Sequence, residues 1–372
     1  GTDKPVWATD KNVGSSKEDR GALISNAMKK QYEIIKNNYH YPLYFSSTLW
    51  MEGADLLKNN LIDLPQDVII VFSDIGMSQM FGEDIFEVKK DINRNYGIYY
   101  HAAYWHTGPH LAEAVIPEKM LYCYDILRQN NVNYYSMLNV ANVKELTFSI
   151  FINRSLLWGD KINLENIYNQ YTKLYLKDNQ KLIDNIKQYY LCLGDVGENE
   201  YYKFCHKYDF DYKKYNNLNF PVVSLNDGMI RSIVYQKMEQ KQLRITKQIK
   251  DTLTYGNNHI DDVFTKMVEI KNELIPSYQK GFNSHWVFES YYWSNLFKFA
   301  LDIYYGVESL NNNDKQSFKK YYSHSIQYKE NIINSRDEYF VDEYLHYQDK
   351  ESKIDIKKMK NIILEEMEKY GN

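Results

Sequence analysis

The chain has 372 residues, enough for one large domain or two domains. Its 44% hydrophobic and 25% charged residues are typical of a globular protein, and a formal net charge of −4 gives no basic surface that would indicate nucleic acid binding. Three cysteines without a C-x-x-C pair indicate isolated thiols and exclude a disulfide framework.

The hydropathy pattern of the sequence predicts no membrane segment. The most apolar long stretch, Trp286 to Tyr305, carries Glu289, Lys298 and Asp302, so it predicts a core helix and no membrane partner. The opening residues, Gly1 to Pro5, lack the apolar stretch of a signal peptide. A secreted and a cytoplasmic location both stay open.

The first 159 residues alternate between strand and helix patterns. Short apolar runs predict five strands, which are Pro5–Thr9, Leu43–Leu49, Val68–Phe72, Tyr96–Tyr100 and Tyr134–Leu138. Helical segments between them predict βαβ units and a parallel sheet. Because a closed (β/α)8 barrel needs eight strands, the sequence predicts an α/β fold that contains part of a TIM-type barrel.

The pattern changes after Trp158. From residue 160 to 372 the apolar positions recur every three to four residues, which predicts an all-α helical domain. The predicted helices are Tyr168–Tyr190, Asp227–Thr252, Asp261–Leu274, Ser284–Tyr305 and Asp314–Asn334. The sequence therefore divides into a barrel-type region, 1–159, and a helical domain, 160–372. We interpret an aromatic stripe in the second part as core, not as a ligand platform; it contains Trp286, Phe288, Tyr291, Trp293 and Phe297.

Polar residues stand at the ends of the predicted strands and at helix starts. They are Asp10, Glu52, Asp74, His101, Glu118, Asn139 and Asn142. The carboxyl ends of parallel strands share one edge of a sheet, where active sites are built, so Asp74 and His101 are expected to be neighbours. The alternative is that Asp74 is a helix cap and His101 a hydrogen-bonded edge residue.

Carboxylates at a barrel edge suit the cleavage of glycosidic bonds, in which one acid protonates the leaving oxygen and a second carboxylate activates water or attacks directly. We take Asp74 and Glu118 as candidate catalytic residues, with Asp74 as the acid, Glu118 as the base and Glu52 as the reserve. Candidate substrate-binding residues are His101, Asn139, Asn142, Asp10 and Trp105. The histidines near residues 101–110 have irregular spacing without paired acids, so no metal and no cofactor is expected.

Several motifs between Leu64 and Trp158 occur in the order found in a known family. The segments are LPQDV at 64–68, YGIYYH at 96–101, GP at 108–109, PEKM at 117–120, NVANVK at 139–144 and LW at 157–158. In this order they resemble glycoside hydrolase family 115, the xylan α-glucuronidases. The resemblance implies a barrel fold and hydrolysis of α-linked glucuronosyl side chains of a glycan.

The sequence departs from the family pattern at positions that matter for chemistry. The acid-rich D-D-N of the family is Ser73-Asp74-Ile75 here, and its N-V-G-D has Asn142 in place of the aspartate. The basic residues that follow G-P in the family are missing after Pro109. Two hypotheses follow: a glycoside hydrolase, or a catalytically inactive relative that binds glycans or acts as a scaffold. The expected partner is an oligosaccharide or polysaccharide, with a second copy of the chain or an upstream domain completing the barrel.

Overall fold

A computed structural model describes residues 16–75, 80–81, 84–103, 113–140, 143–158, 163–193 and 247–339. The predicted strand Pro5–Thr9 and most of the predicted helix Asp227–Thr252 lie outside these ranges. The chain forms two compact units, which we call the sheet unit and the helical unit. Among the described residues, the sheet unit holds 16–75, 80–81, 84–101 and 121–139, and the helical unit holds the others. A domain boundary at residue 159 stays a prediction.

The sheet unit contains the strands and the helices between them. Its elements in chain order are α1 (Lys17–Asn38), β1 (Phe45–Thr48), α2 (Glu52–Lys58), β2 (Val68–Ile75), β3 (Met80–Phe81), α3 (Asp84–Glu87), β4 (Tyr96–His101), α4 (Pro117–Gln129) and β5 (Tyr135–Asn139). The first four residues of α4 belong to the helical unit. Ser16 caps α1, since its side chain accepts a hydrogen bond from the Asp19 backbone N–H at 3.0 Å.

Four of these strands form a parallel sheet in the order β1-β2-β4-β5. Each strand pairs with the next parallel strand in the chain, which is the order of a barrel wall and not of a doubly wound open sheet. The described strands thus form an α/β half-barrel sheet. The four predicted strands within the described residues are confirmed.

The end of β2 differs from the prediction. The apolar run ends at Phe72, but the strand continues to Ile75 because Asp74 and Ile75 pair antiparallel with Phe81 and Met80 of β3. The predicted strand end was therefore wrong. Backbone pairing with β3 extends the strand beyond its apolar residues, so Asp74 lies within the strand and not after it.

The strands are buried along their apolar residues. Val71, Phe72, Ile98 and Tyr100 expose 1% or less of their surface. This matches the expectation for parallel strands covered on both faces. Before the first residues of β2 and β4, the Arg94 guanidinium donates 2.9 Å hydrogen bonds to the carbonyl oxygens of residues 64, 65 and 68. These bonds fix the turn that leads into β2.

Every regular element described in the helical unit is helical. Beyond the start of α4, the elements are α5 (Thr147–Trp158), α6 (Leu164–Thr172), α7 (Gln180–Cys192), α8 (Lys247–Glu273), α9 (Pro276–Phe282), a π-helical turn (Asn283–Val287), α10 (Phe288–Asn311) and α11 (Lys315–Tyr339). None of the described helices is long and apolar enough to cross a membrane.

One predicted helix is divided. The pattern predicts a continuous helix over Tyr168–Tyr190, whereas the structure has α6 and α7 with a turn between them. The Asn179 side-chain amide donates to Thr172 Oγ1 at 2.6 Å and to the Asn169 carbonyl oxygen at 3.2 Å, so it holds the turn. The continuous helix was therefore wrong, and side-chain bonds that apolar periodicity does not show accompany the turn.

The interpretation of the aromatic stripe as core is confirmed for four of its five members. Trp286, Phe288, Trp293 and Phe297 are buried, and Tyr291 is partly exposed.

Gly97 provides a test of the sheet. A Cβ atom at this position would lie 2.5 Å from the Tyr135 carbonyl oxygen of β5, so Gly97→Ala should push β4 and β5 apart. We expect a loss of about 1–3 kcal/mol in the free energy of unfolding, the usual cost of overpacking. Urea unfolding followed by circular dichroism measures it. The matched control is Gly281→Ala in α9, where nothing lies within 4 Å of the added Cβ atom; equal destabilisation by both variants would contradict the close approach at Gly97.

Candidate functional site

The carboxyl ends of β2 and β4 bring Asp74 and His101 together. The His101 backbone N–H donates to Asp74 Oδ2 at 3.0 Å, and His101 Nδ1 lies 2.5 Å from Asp74 Oδ1. The Asp74 side chain is fully buried, while 14% of the His101 side chain is exposed. The predicted neighbourhood of these two residues is confirmed.

This geometry determines the tautomer of His101. A carboxylate oxygen accepts a hydrogen bond from a ring nitrogen, so Nδ1 carries the proton and donates it towards Asp74. Neutral His101 then has its lone pair on Nε2. The second carboxylate oxygen is occupied by the His101 backbone N–H, so the imidazole and the strand backbone are held by the same acid. Asp74 therefore orients His101 in the way that a carboxylate orients a catalytic or metal-binding histidine.

Tyr99 and Asn139 extend this polar edge. Asn139 is the last residue of β5 and pairs in register with His101. Its side-chain amide donates to the Tyr99 hydroxyl oxygen at 2.6 Å, and the Tyr99 and His101 rings have centroids 4.2 Å apart. The strand ends thus place an imidazole, a phenol and an amide side by side.

Glu52 is the first residue of α2, in the same unit. Its Oε1 atom lies 2.5 Å from Arg20 Nε of α1, and both side chains are about one-sixth exposed, at 17% and 16%. Met51 before it has a φ of 49°, in the left-handed region that non-glycine residues rarely adopt. Such strain often occurs at functional sites. The indole of Trp50, next to this residue and 46% exposed, offers an aromatic face to solvent.

Glu118 belongs to the helical unit and Asp74 to the sheet unit, so this candidate pair is not assembled within either unit. Burial raises the pKa of Glu118 above its ordinary value, and a bond from its own backbone N–H and the charge of Lys187 lower it by less. Burial therefore outweighs the helix terminus, which was expected to favour the ionised form. The environment of Glu118 favours the protonated carboxyl group, which suits a general acid and not the predicted base. The role of Glu118 in catalysis stays a prediction.

Three predicted substrate-binding residues, Asp10, Trp105 and Asn142, lie outside the described residues. The structure therefore neither joins them to His101 nor separates them from it. Among the described residues, no group of three or more histidine, cysteine, aspartate or glutamate side chains could hold a metal ion.

The sequence reasoning missed a group of buried polar residues in the helical unit. We call Glu113, Ser149, Tyr189, Tyr190, His285 and Glu289 the buried carboxylate cluster. Glu113 and Glu289 are both 0% exposed. His285 Nε2 lies 3.8 Å from Glu113 Oε1 and 3.5 Å from Glu289 Oε1, so both carboxyl groups approach one imidazole.

A signal for part of this cluster was present in the sequence. Glu289 is the first acid inside the apolar stretch Trp286–Tyr305, and an acid among large apolar residues must be either at a helix surface or buried with partners. Glu113 gave no comparable signal, because it stands in a segment without a clear helical or strand pattern.

Comparison with known proteins identifies the family. The sequence model of glycosyl hydrolase family 115 matches residues 3–195, just over half of the chain. The chain belongs to this family. Among curated proteins, none matches the sequence.

A solved structure supports the fold. The chain is similar to BtGH115A, described as a novel family GH115 4-O-methyl-α-glucuronidase with specificity for decorated arabinogalactans, with a TM-score of 0.56 and 13% sequence identity. The similarity covers 88% of this chain and 39% of that structure's chain. At this identity the likeness concerns the fold alone, and the present chain spans about two-fifths of the length of its structural relative.

Removing the charge of Asp74 should change the tautomer of His101. In Asp74→Asn, the side chain can present either a carbonyl oxygen or an amide N–H to Nδ1, so the preference for the Nδ1-protonated form should weaken. The ¹⁵N chemical shifts of the histidine rings measure the tautomer directly. His259 serves as the internal control, because its Nδ1 atom lies 2.8 Å from the carbonyl oxygen of Tyr255 in its own helix. An unchanged His101 spectrum in Asp74→Asn would show that Asp74 does not select the tautomer.

Proposed function

We propose that this chain takes part in hydrolysis of an α-linked glucuronosyl residue of a plant or host glycan, and that the carboxyl edge of its parallel sheet contributes the site. One observation carries the proposal: a fully buried Asp74 holds His101 in a single orientation at the sheet edge where barrel enzymes act. Membership of family 115 and the activity of the similar protein BtGH115A, a 4-O-methyl-α-glucuronidase, support the reaction and the uronoside class of substrate.

The environments of the edge residues suggest different roles. Asp74 has no surface exposed to a sugar, so we assign it to positioning His101, in preference to the acid role predicted from the sequence. His101 Nε2 can hydrogen bond to a sugar hydroxyl or exchange a proton with it. Asn139 and Tyr99 can hydrogen bond to further hydroxyl groups, and the exposed indole of Trp50 can stack on a sugar ring.

A glycosidase also needs carboxyl groups that act on the glycosidic bond. Glu52 is the candidate in the sheet unit, where its Oε1 atom lies 2.5 Å from Arg20 Nε, and we assign it the role of base or nucleophile. Glu118 is the candidate in the helical unit, where burial favours the protonated form that an acid needs. These assignments are proposals made from the environment of each residue.

A second function, an inactive relative that binds a glycan, is favoured by one specific observation. Both carboxylates at the described sheet edge are engaged: Asp74 with His101, and Glu52 with Arg20. Hydrogen bonding groups and an exposed indole are sufficient to bind a sugar, and they need no acid. Hydrolysis distinguishes the two functions.

The test is release of glucuronic acid or its 4-O-methyl ether from α-linked glucuronides by the purified chain, with neutral glycosides as the comparison. If the hydrolase proposal is correct, His101→Gln and Glu52→Gln should each lower kcat/KM by at least about 100-fold, since general acid–base groups contribute about 10²–10⁴-fold. Glu118→Gln should give a similar loss if Glu118 is the acid.

The matched control is Glu18→Gln, which makes the same chemical change at an exposed position in the first turn of α1. It should leave kcat/KM unchanged. Glycan binding in calorimetry without any hydrolysis would favour the inactive relative. Hydrolysis that survives both His101→Gln and Glu52→Gln would place the site elsewhere.

A further inference from the structure

The buried carboxylate cluster joins five parts of the helical unit. Glu113 precedes α4, Ser149 is in α5, Tyr189 and Tyr190 are in α7, and Glu289 is in the first turn of α10. His285 comes from the π-helical turn before α10, a type of irregularity often found at functional positions. The cluster belongs to the helical unit, and the Asp74–His101 pair belongs to the sheet unit.

Hydrogen bond geometry locates a proton in this cluster. The Tyr189 hydroxyl oxygen lies 2.6 Å from the Glu113 carbonyl oxygen and 2.8 Å from Glu289 Oε2. The tyrosine has one hydroxyl proton, and a carbonyl oxygen can only accept. The hydroxyl group can donate to only one of these two oxygens, and Glu289 Oε2 also accepts from the Glu113 backbone N–H at 2.8 Å. A proton on Glu289 lets both Tyr189 contacts be hydrogen bonds, because the carboxyl group then donates to the tyrosine oxygen.

Both side-chain oxygens of Glu113 accept hydrogen bonds. Its Oε1 atom accepts from the Phe148 N–H at 2.8 Å and from the Ser149 N–H at 3.0 Å, at the amino-terminal end of α5. Its Oε2 atom accepts from the Ser149 hydroxyl, and the Tyr190 hydroxyl lies 3.5 Å away. Backbone N–H groups cannot accept a proton, so these donors favour the ionised form of Glu113.

Burial shifts the pKa values of both carboxyl groups in the same direction. Burial raises the pKa of Glu113 to about 7, although its donors lower it in part. Burial, with the nearby charge of Glu113, raises the pKa of Glu289 well above its ordinary value. Both carboxyl groups therefore keep a proton to higher pH than an exposed glutamate does.

Other ionisable groups around the pair must be included in any account of pH dependence. Burial lowers the pKa of His285 to about 3, so this imidazole is neutral. Burial also lowers the pKa of Lys144 to about 8, and the charges of Glu145 and Glu289 raise it. Tyr171, Tyr189 and Tyr190 have pKa values raised by burial, so they stay protonated.

We propose that the buried carboxylate cluster is a pH-sensitive latch, in which the proton on Glu289 keeps the Glu113 segment attached to α7 and α10. At alkaline pH the proton leaves, and two adjacent buried carboxylates then repel each other. The bonds of the Glu113 carboxylate to the start of α5 are weakened in the same event, so α5 opens at its amino-terminal end. This is the helix that follows Asn139 in the chain.

The sign of the pH effect follows from proton linkage. Each carboxyl group has a higher pKa when the latch is closed than in an open, solvated segment, where it is near the ordinary 4.5. The closed form therefore binds more protons, and closure is weakened as pH rises from 4.5 through the closed-state pKa. Lys144 has the opposite effect, because opening raises its pKa and closure gains stability as pH rises above about 8.

Hydrogen exchange followed by mass spectrometry tests the latch in the complete chain. Peptides that contain Glu113, Phe148 and Ser149 report the amide groups that bond to the two carboxylates. After correction for intrinsic exchange, their protection should fall between pH 7 and 9 by up to about tenfold per pH unit, the limit for release of one proton. Peptides from α1 should show no such trend.

Glu289→Gln isolates the proposed proton, because glutamine resembles the protonated acid and does not titrate. Protection of the same peptides should become flat between pH 7 and 9, or should rise with the contribution of Lys144. The control, Glu273→Gln at an exposed end of α8, should keep the wild-type slope. A wild-type slope in Glu289→Gln overturns the proposal.

Ser149→Ala provides a second test if Glu289→Gln does not fold. It removes one donor from Glu113, so the pKa of Glu113 in the closed form should rise, and the loss of protection that comes from Glu113 should continue to a higher pH than in the wild type. An unchanged pH profile would overturn the assignment of the charge to Glu113. Wild-type protection that is independent of pH between 7 and 9 would overturn the latch itself.

Discussion

The bond between Asp74 and His101 depends on the parallel pairing of β2 and β4. In this register Ser73 lies beside Tyr99. Asp74, one residue after Ser73, and His101, two residues after Tyr99, therefore meet at the same edge of the sheet. The two partners are 27 residues apart in the chain and have no local reason to meet. Gly97 permits the close approach of β5 to β4, and Arg94 fixes the turn that leads into β2. The orientation of the His101 imidazole thus depends on how β2, β4 and β5 pair.

Each unit contains buried carboxyl groups, and each of these groups needs hydrogen-bond partners or a proton. The two units supply them in different ways. An ionised carboxylate without partners is too costly to bury. Asp74 is stabilised by a backbone N–H and a histidine ring, so its bonds hold a side chain at the edge of the sheet. Glu113 uses N–H groups at the start of α5, while Glu289 is best satisfied by keeping its proton. The first arrangement orients an imidazole at the sheet edge, and the second links the Glu113 segment to α5, α7 and α10.

Much of the sheet unit could be predicted from the sequence, because local patterns decide it. The runs Val68–Phe72 and Tyr96–Tyr100 are too apolar to be anything but buried strands, and parallel strands align their polar ends. The prediction failed where tertiary bonds decide the outcome. Pairing with β3 extends β2 past Phe72, and the Asn179 side chain ends the helix that the periodicity continued.

The buried carboxylate cluster could not be assembled from the sequence for the same reason. Its two acids are 176 residues apart, and they meet through the backbone N–H of Glu113, which carries no mark in the sequence. Glu289 stands out in an apolar helix, but a single acid in such a helix identifies no partner. The Glu52–Arg20 ion pair was also not foreseen, since nothing in α1 distinguishes Arg20 from the other basic residues of that helix.

The two carboxylates at the sheet edge, Asp74 and Glu52, differ in their exposure to solvent. Asp74 is fully buried, and loss of a hydrogen bond to a buried charged group costs about 1.5–3 kcal/mol or more. Glu52 and Arg20 are each about one-sixth exposed, so this pair meets solvent and the Asp74 carboxylate does not. A bound sugar can therefore approach Glu52 from solvent, but it cannot reach Asp74. If the edge of this sheet acts on a glycosidic bond, Glu52 is the carboxylate of the sheet unit that can reach the substrate, and Asp74 acts through His101.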